Sequence, residues 1–343
     1  MPALWCSAPS PTAVITGGLW LGAAIADFVI GDPWTWPHPV QAMGWGIDRY
    51  RRAIWHWRGR GLSPHGQRRA GALLAGGYPL LWGGMSGLVV YGLGRWSAIA
   101  AALLAALWLA SCLAGRSLRD AAWDVLEPWQ QGDLATARDR LARYVGRDTA
   151  DLDGPEILRA VLETVSENAT DGVFAPLFYG LLGCLLGGAT GAVGLAMAYK
   201  ALSTLDSMVG YREAPYTDLG WASARLEDGA TWLPCRLTVL TVALLSGRPR
   251  RVWRLCRRDA PADPSPNAGW SECAYAAALG VQVGGENCYR GQVKVKPLLG
   301  DRDRPLTPAS SAQALTLTRY GCCLWLGLGL LGLGLRHGLH CGF

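Results

Sequence analysis

The sequence predicts an all-α, polytopic integral membrane protein: a helical bundle with short or broken membrane helices, in which cytoplasmic loops form the functional site. Half of the 343 residues are hydrophobic and only 17% are charged. Charge-free runs recur along the chain, rich in glycine and bordered by tryptophan and arginine, which is typical of membrane helices. We therefore expect residues 1–343 to form a single membrane domain rather than several soluble domains.

Arginine supplies nearly all of the positive charge behind the formal net charge of +6. Arginine clusters beside apolar runs indicate cytoplasmic segments under the positive-inside rule. They border apolar runs instead of forming a separate basic face, so we expect no nucleic-acid partner. We expect a multi-pass protein of the cell (inner) membrane, with the lipid bilayer around it and its active face in the cytoplasm. The ten cysteines form no C-x-x-C pair, which favours buried free thiols.

The N-terminal part predicts one helix followed by a helical hairpin. Ala13–Gly31 is apolar apart from one aspartate, and because no charged segment precedes it we expect a retained first helix rather than a signal peptide. The proline-rich residues 32–39 predict a rigid extended loop. The arginine-rich residues 49–69 predict a cytoplasmic loop. Ala70–Gly94 and Trp96–Gly115 are each long enough to cross a core of ~30 Å at ~1.5 Å per residue.

Two polar regions interrupt the apolar ones. Residues 116–162 mix acids and bases with apolar residues at helical spacing, which predicts a cytoplasmic amphipathic helical insertion. Residues 248–319 begin with an arginine cluster and are then rich in proline and glycine, which predicts a cytoplasmic loop region. Leu237–Gly247 has only 11 uncharged residues and predicts a half-helix. Tyr320–Leu335 predicts the last membrane helix.

The uncharged segment Val173–Tyr199, of 27 residues, can be interpreted in two ways. As one straight helix it would be about 40 Å long and would cross the bilayer with tilt. As two half-helices broken at Gly187–Gly191 it would enter the bilayer and return, as broken helices do where they line a protein cavity. We favour the second interpretation, because Leu237–Gly247 also has the length of a half-helix. Both polar ends of the segment then lie on one side.

Polar clusters stand at both ends of this segment. Before it, Glu167 and Asp171 lie four residues apart on one helix face, where two carboxylates can hold a divalent cation. Equally, Asp171 or Thr170 could cap the next helix. After it, Lys200 is either an interfacial anchor or, with the polar residues 203–207, part of a phosphate or metal site. No Gly-x-x-x-x-Gly-Lys-Ser/Thr motif is present, so a standard phosphate loop is not predicted.

Two further segments carry polar groups. Arg225 and Asp228, three residues apart on a short amphipathic piece, either pair with each other or face a substrate. The loop 259–267, which prolines hold rigid, carries Ser265 and Asn267. It is either structural or a lid that clamps a substrate at the cytoplasmic membrane face.

Five motifs then occur in order. They are Asp27-x-x-x-Gly-Asp-Pro with a later His-Pro, Glu167-Asn168 with Asp171-Gly172 and Ala175-Pro176-Leu177, the cluster from Lys200 to Arg212, Trp221-Ala222-x-Ala224-Arg225-Leu226-x-Asp228, and Pro264-Ser265-Pro266-Asn267-Ala268-Gly269. Over about residues 20–295 the chain thereby resembles the CbiB family of cobalamin-biosynthesis membrane proteins, also called CobD. That family usually has a histidine-rich run before the last motif. Here residues 259–263 contain no histidine, so no histidine role is carried over at that point.

The resemblance implies the activity of adenosylcobinamide-phosphate synthase, a carbon–nitrogen ligase of cobalamin (vitamin B12) biosynthesis. Such an enzyme joins the free propionate carboxyl of adenosylcobyric acid to the amine of aminopropanol or aminopropanol phosphate. The product is an amide, and ATP with Mg²⁺ is expected to drive its formation. A homo-oligomer, or an association with other enzymes of the cobalamin pathway, is compatible with this expectation.

On this hypothesis the candidate residues divide by role. A carboxylate must be activated before an amine attacks it, and a phosphate needs cations nearby. Catalytic groups are expected at Lys200, Asp171, Glu167, Asp32 and His38, with the last two as bases for the incoming ammonium. Carboxylates that position Mg²⁺ are expected at Glu167, Asp171 and Asp206. Side chains that bind phosphate or corrinoid are expected at Asn168, Ser207, Arg212, Arg225, Ser265 and Asn267.

Two alternatives come from other classes: a membrane transporter of a corrinoid or small anion, and a membrane sensory or scaffold protein. Broken apolar segments suit a transporter, but the polar motifs lie at segment ends and in loops rather than deep in an apolar run. A sensory or scaffold protein would not need so many residues able to bind phosphate and metal.

Overall fold

The structure, a computed structural model, describes residues 11–31, 38–56 and 62–340, with side chains from residue 18 to residue 335. Asp32, predicted as a base, lies outside the described residues. The helices are α1 (Pro11–Val29), α2 (Pro39–His56), α3 (Pro64–Gly94), α4 (Ala98–Cys112), α5 (Gly115–Gln130), α6 (Leu134–Leu141), α7 (Gly154–Ala169), α8 (Ala175–Val209), α9 (Trp221–Leu245), α10 (Pro249–Asp259), α11 (Ala268–Leu279) and α12 (Pro308–His340). The strands are β1 (Val283–Tyr289) and β2 (Gln292–Leu299).

Four helical segments in the described part of the chain are long and apolar enough to cross a membrane: 64–94, 98–130, 154–209 and 308–335. The predicted all-α, polytopic membrane class is therefore confirmed. The predicted hairpin corresponds to α3 and α4. Its second arm begins where the hydroxyl of Ser97 accepts a hydrogen bond from the backbone N–H of Ala100 at 3.2 Å and caps the helix.

The long helix α8 reverses direction next to Gly188, which has a positive φ of 60°. The rings of Tyr179 and Tyr199, which would be about 30 Å apart along a straight helix, stack with centroids 5.1 Å apart. A Cβ atom at Gly183 would lie 2.1 Å from the carbonyl oxygen of Gly191, so the two halves touch backbone to backbone. The broken-helix interpretation is confirmed, and both ends of α8 lie on the same side.

A proline inside α9 fixes this hairpin to its neighbour. Pro234 has no N–H, so the carbonyl of Ala230 lacks its helical donor. The hydroxyl of Tyr179 donates to that carbonyl at 2.9 Å. The hydroxyl of Tyr199 makes a hydrogen bond of 2.9 Å with that of Thr231, also on α9. Both stacked tyrosines of α8 are thereby anchored to the same helix.

Buried side chains form two main cores. One lies among α1, α3, α4, α8 and the second half of α12. The other lies among α5, α6, α7, α9, α10, α11, the β1–β2 hairpin and the beginning of α12. The apolar helices and the polar segments of the sequence therefore pack into separate cores, and α12 contributes to both.

The region 248–319, predicted as a loop region, contains α10, α11 and an antiparallel β-hairpin. The hairpin turn lies at Arg290 and Gly291, which both have positive φ values. The strand β2 has a sequence signal, because valine and lysine alternate over residues 293–296 with the period of two that strands show. The predicted class stays all-α in its membrane part, with this hairpin added to the polar part.

Two other segments differ from expectation. The arginine-rich stretch predicted as a loop includes the end of α2, because Met43 and Ile47, one turn apart, are fully buried and give that helix an apolar face. Leu237–Gly247 was predicted as a separate half-helix, but its residues up to Leu245 form the second half of the continuous α9. Arg236 does not interrupt α9, because its guanidinium lies over the ring of Trp270, 4.7 Å from the centroid.

We expect Gly183→Ala to destabilise the protein, because the added methyl group would lie 2.1 Å from the carbonyl oxygen of Gly191. Overpacking of this kind costs about 1–3 kcal/mol, so the thermal midpoint of unfolding in detergent should fall. Gly76→Ala is the matched control, since Gly76 is also helical but has nothing within 4 Å of a Cβ built on it. Equal midpoints for the two variants would contradict the close contact between the halves of α8.

Candidate active site

A π-helical turn, residues 170–174, joins α7 to α8 and carries Asp171. Pro176 has no N–H, so the carbonyl of Gly172 lacks a helical donor and instead accepts the N–H of Ala114 at 2.9 Å. The hydroxyl of Thr170 makes a hydrogen bond of 2.7 Å with the hydroxyl of Ser271 on α11. The turn is thus held from two sides, and turns of this type are frequent at functional sites.

The reversal of α8 brings its second half back to this turn. Asp171 interacts electrostatically with Lys200 and Asp206, both on the second half of α8, and with Glu167 on α7. Asp206 in turn interacts with Glu167. The three predicted metal ligands and the predicted catalytic lysine therefore lie together, although 39 positions separate Glu167 from Asp206.

Helix α9 adds two further carboxylates, Glu227 and Asp228. Asp171 interacts electrostatically with Glu227, and Asp206 with Asp228. The hydroxyls of Tyr199 and Thr231 donate hydrogen bonds to Glu227. Burial, together with the carboxylates of Asp206 and Asp228, raises the pKa of Glu227 to about 7. Glu227 was not among the predicted site residues, because its position beside Asp171 depends on how α9 packs on α8.

The site has an excess of negative charge. Five carboxylates, those of Glu167, Asp171, Asp206, Glu227 and Asp228, interact with one another. Like charges that are partly removed from water disfavour each other strongly, so protons or bound cations must compensate them. One carboxylate oxygen of this group lacks a donor: in the described part of the chain, the buried Oδ1 of Asp206 has no hydrogen-bond partner.

These donors fit Mg²⁺ that binds together with a phosphate. Among the described residues, no three His, Cys, Asp or Glu side chains are arranged so that they could enclose a metal ion by themselves. Mg²⁺ does not require such a cage, because it keeps several waters and usually binds through one or two carboxylates plus substrate phosphates. The unpartnered oxygen of Asp206 next to the carboxylates of Asp171 and Glu167 is a donor set of that kind.

Three cations lie near the carboxylates. Lys200 forms no salt bridge within the described residues, although it interacts electrostatically with Asp171, so its ammonium can bind an anionic ligand. Arg212 and Arg225 are exposed and both interact electrostatically with Asp228. Arg212 also donates a hydrogen bond of 2.8 Å to the backbone carbonyl of Pro264. Pro264 belongs to the loop of residues 259–267, called the proline-rich loop from here on. The predicted phosphate-binding arginines thus lie at the solvent-exposed edge of the site.

The proline-rich loop uses its polar side chains to hold its own shape. The hydroxyl of Ser265 accepts the N–H of Asn267 at 3.3 Å and that of Ala268 at 3.1 Å, at the start of α11. Asn267 is buried, with its amide oxygen accepting from Arg236 at 2.9 Å and its amide nitrogen donating to the carbonyl of Asp228 at 2.8 Å. These contacts tie the loop to α9 and occupy the groups that were predicted to bind substrate.

The other predicted residues lie at the ends of helices. Asn168 is exposed, and its amide donates to the carbonyl of Thr164 at 2.9 Å. Ser207 is exposed, and its hydroxyl donates to the carbonyl of Thr204 at 2.9 Å. Asn168 follows Glu167 and Ser207 follows Asp206, so each is next to a carboxylate of the site. His38 precedes α2, where its Nδ1 accepts the N–H of Val40 at 3.2 Å.

A second charged cluster supports the site from the β-hairpin. Lys296 on β2 forms a salt bridge with Glu272 on α11, which is 1% exposed. Lys296 also interacts electrostatically with Glu163 and with Glu167 of the site. Glu163 accepts hydrogen bonds from Arg147 and, at 2.8 Å, from the N–H of Gly284 on β1. Lys296 and Glu272 were not among the predicted site residues, because only the packing of the hairpin on α7 and α11 makes them partners.

We expect Lys296→Met to lower the free energy of unfolding by about 3–5 kcal/mol, because it leaves the buried carboxylate of Glu272 unpaired. Lys294→Met is the matched control: Lys294 lies on the same strand but pairs with the exposed Glu213. An exposed pair is worth about 0–1 kcal/mol, so this variant should remain near the wild type. Thermal unfolding in detergent measures both, and similar losses would contradict a buried ion pair at Lys296.

Comparison with known proteins identifies the family. A sequence profile described as "CobD/Cbib protein" matches residues 20–318. A cobalamin biosynthesis protein CobD of Synechocystis sp. is 51% identical over 310 residues, which cover 90% of this chain and 89% of that protein. A cobalamin biosynthesis protein CobD of Photorhabdus laumondii is 42% identical, with 85% and 89% covered. A cobalamin biosynthesis protein CbiB of Salmonella typhi is 40% identical, with 90% and 95% covered.

No solved structure matches the chain. The sequence relationship extends over nearly the whole length of each of these relatives, and the matched residues include the π-helical turn, both halves of α8, α9 and the proline-rich loop. The protein therefore belongs to the CobD/CbiB family.

Proposed function

We propose that this protein acts in cobalamin biosynthesis as a carbon–nitrogen ligase. The reaction is the ATP-dependent joining of the adenosylcobyric acid carboxyl to aminopropanol or aminopropanol phosphate, giving adenosylcobinamide or its phosphate. The observation that carries the proposal is the meeting of five carboxylates with Lys200, which forms no salt bridge within the described residues, at one end of a re-entrant helical hairpin. The printed names of the relatives supply the pathway.

The charges of the substrates explain why such a site needs both acids and cations. ATP and the corrinoid carboxylate are anions, so they cannot approach a group of carboxylates without positive charge between them. One or two carboxylates of the set Glu167, Asp171 and Asp206 would hold Mg²⁺ beside nucleotide phosphates, which would complete its coordination. When bound, the metal would supply charge neutralisation and orientation of the phosphoryl group.

The side chains of this chain account for the remaining requirements. The ammonium of Lys200 can donate hydrogen bonds to phosphoryl oxygens and stabilise charge that develops there. The exposed Arg212 and Arg225 attract anionic substrates to the opening. Asn168 and Ser207 are exposed beside carboxylates of the site and have amide and hydroxyl groups suited to the peripheral amides of a corrinoid.

The incoming amine must lose a proton before it attacks. A primary ammonium has a pKa of about 10.4, so the amine substrate arrives protonated at neutral pH. The best general base has a pKa close to the operating pH, and Glu227, with a pKa of about 7, meets that condition. Glu227 thus joins Asp32 and His38 as a candidate base in this proposal.

We propose that the site opens to the cytoplasm from the inner membrane. Arginine is abundant in the polar segments that pack around the site, as the positive-inside rule expects of cytoplasmic segments. ATP is also a cytoplasmic substrate. A bilayer location suits a chain with four helical segments that are long and apolar enough to cross a membrane.

The decisive assay uses the purified full chain in detergent with adenosylcobyric acid, Mg-ATP and either aminopropanol or aminopropanol phosphate. We expect mass analysis to detect the corrinoid amide, with ATP consumed only when both other substrates are present. A preference for one amine identifies the substrate. Accumulation of a corrinoid in proteoliposomes without amide formation would instead favour a transporter.

We expect Lys200→Ala to reduce amide formation by about 100-fold, as loss of one group that stabilises developing charge does, and Asp171→Asn to reduce it to a similar extent because it removes a carboxylate that would hold Mg²⁺. Asp139→Asn and Arg257→Ala are the controls, because both residues are exposed, on α6 and α10, and neither is among the carboxylates and cations of the site, so both variants should keep wild-type turnover. Protein amount and thermal midpoint should be matched for all variants. Near-normal turnover in both site variants would remove these residues from the chemistry.

We expect chelation of divalent cations with EDTA to stop both amide formation and ATP consumption, and Mg²⁺ to restore them. The reason is that five carboxylates repel the negatively charged phosphates of a nucleotide unless a cation binds between them. Asp206→Asn should raise the Mg²⁺ concentration needed for half-maximal turnover. Unchanged turnover in EDTA would show that the site carboxylates do not hold a divalent cation that the reaction requires.

A further inference from the structure

A groove of about 800 Å³ lies on the outside of the apolar helices, between α1, the start of α5, and α12. None of the five site carboxylates lines it, nor does Lys200, Arg212 or Arg225. Its volume falls within the range of ligand pockets, about 300–1,000 Å³. The groove is therefore a second candidate binding site, separate from the candidate active site.

Most of the groove wall is apolar. Leu21, Ile25 and Phe28 follow helical spacing along α1, and all three are about half exposed. Leu326 and Leu330 line the facing side on α12. Along α12, Leu330 lies 11 residues beyond Arg319, or about 16 Å, which is half of the ~30 Å hydrocarbon core. The apolar part of the groove thus has the length of one leaflet.

Three arginines line the groove beside this apolar wall: Arg116, Arg119 and Arg319. Arg116 and Arg119 share one carboxylate, that of Asp120, at 3.0 and 3.3 Å. Within the described residues Arg319 has no salt bridge, and its guanidinium lies 5.4 Å from the ring centroid of the neighbouring tyrosine. Asp27 also lines the groove. Three guanidinium groups against two carboxylates leave one positive charge among them.

The apolar wall extends from the arginines in one direction along the groove. On α1 it runs from the C-terminus, where Arg116 donates to the carbonyl of Val29 at 2.7 Å, toward Leu21. On α12 it runs from Arg319 toward Leu330, and a shorter part of the lining, Ala312 to Thr318, lies on the other side of Arg319. Such a gradient along membrane helices complements an amphiphile with an anionic head and hydrocarbon tails.

We propose that this groove binds an anionic phospholipid, with the phosphate headgroup at Arg116, Arg119 and Arg319 and the acyl chains along α1 and α12. Guanidinium groups bind phosphate oxygens in a bidentate manner, and basic pockets between membrane helices bind acidic lipid headgroups. A free phosphate would use only the arginines and would leave the apolar length unexplained. The site is independent of the proposed ligase reaction.

Native mass spectrometry of the detergent-purified full chain tests the proposal. The protein is offered equimolar phosphatidylglycerol and phosphatidylcholine, which have similar chains but differ in net charge. We expect retention of phosphatidylglycerol in preference to phosphatidylcholine. Arg319→Gln should weaken that retention about fivefold, the effect of one basic residue near an acidic headgroup.

Arg254→Gln is the matched control, because Arg254 is exposed on α10 and does not line the groove. It should retain lipid as the wild type does. Ile25→Trp tests the apolar part without changing charge, and it should lower retention of phosphatidylglycerol by filling the space for its chains. Circular dichroism and gel filtration show whether each variant is folded.

Three outcomes would overturn the proposal. Equal retention of the two lipids by the wild type would show no headgroup recognition. Equal losses in Arg254→Gln and Arg319→Gln would reduce the effect to general surface charge. A lipid-free dimer that is broken by Ile25→Trp would show that a second copy of this chain covers the groove.

Discussion

The close backbone contact between the two halves of α8 is the constraint on which the rest of the structure depends. Gly183 and Gly191 leave no room for a Cβ atom between them, and the positive φ of Gly188 allows the chain to reverse. Without that reversal, Lys200 would lie about 40 Å from Asp171 along a straight helix. With it, the apolar segment folds back on itself, and a single helical hairpin supplies residues to the site from both of its ends.

The reversal of α8 brings like charges together, and the surrounding elements supply part of the charge that compensates them. It brings Asp206 next to Asp171, and α9 adds Glu227, so carboxylates accumulate where water is limited. Such a group is stable only with protons or cations. The β-hairpin contributes Lys296 from one side, and Lys200, Arg212 and Arg225 supply positive charge from α8, α9 and the segment between them. Carboxylates next to cations are the groups that Mg²⁺ and nucleotide phosphates would require, which fits the proposed ligation.

Some of the predicted site residues lie close together because they are only a few positions apart on the same helix. Glu167 and Asp171 share a helix end, and Lys200 and Asp206 are close in sequence, so each half of the cluster could be predicted. Ser265 and Asn267 were also predicted, but their polar groups stabilise the loop itself. The residue types predict polar groups in this loop, but the partner of each group depends on what packs against the loop.

The sequence by itself determined the membrane class, the positions of the apolar helices and the ordered motifs of the CobD/CbiB family. These depend on local composition, spacing and length. Only the tertiary structure decided that Glu227 lies beside Asp171, that Lys296 pairs with Glu272, and that α10, α11 and a β-hairpin form within the polar region. Those features require segments far apart in sequence to pack together, and electrostatic interactions at short range leave no periodic pattern in the chain.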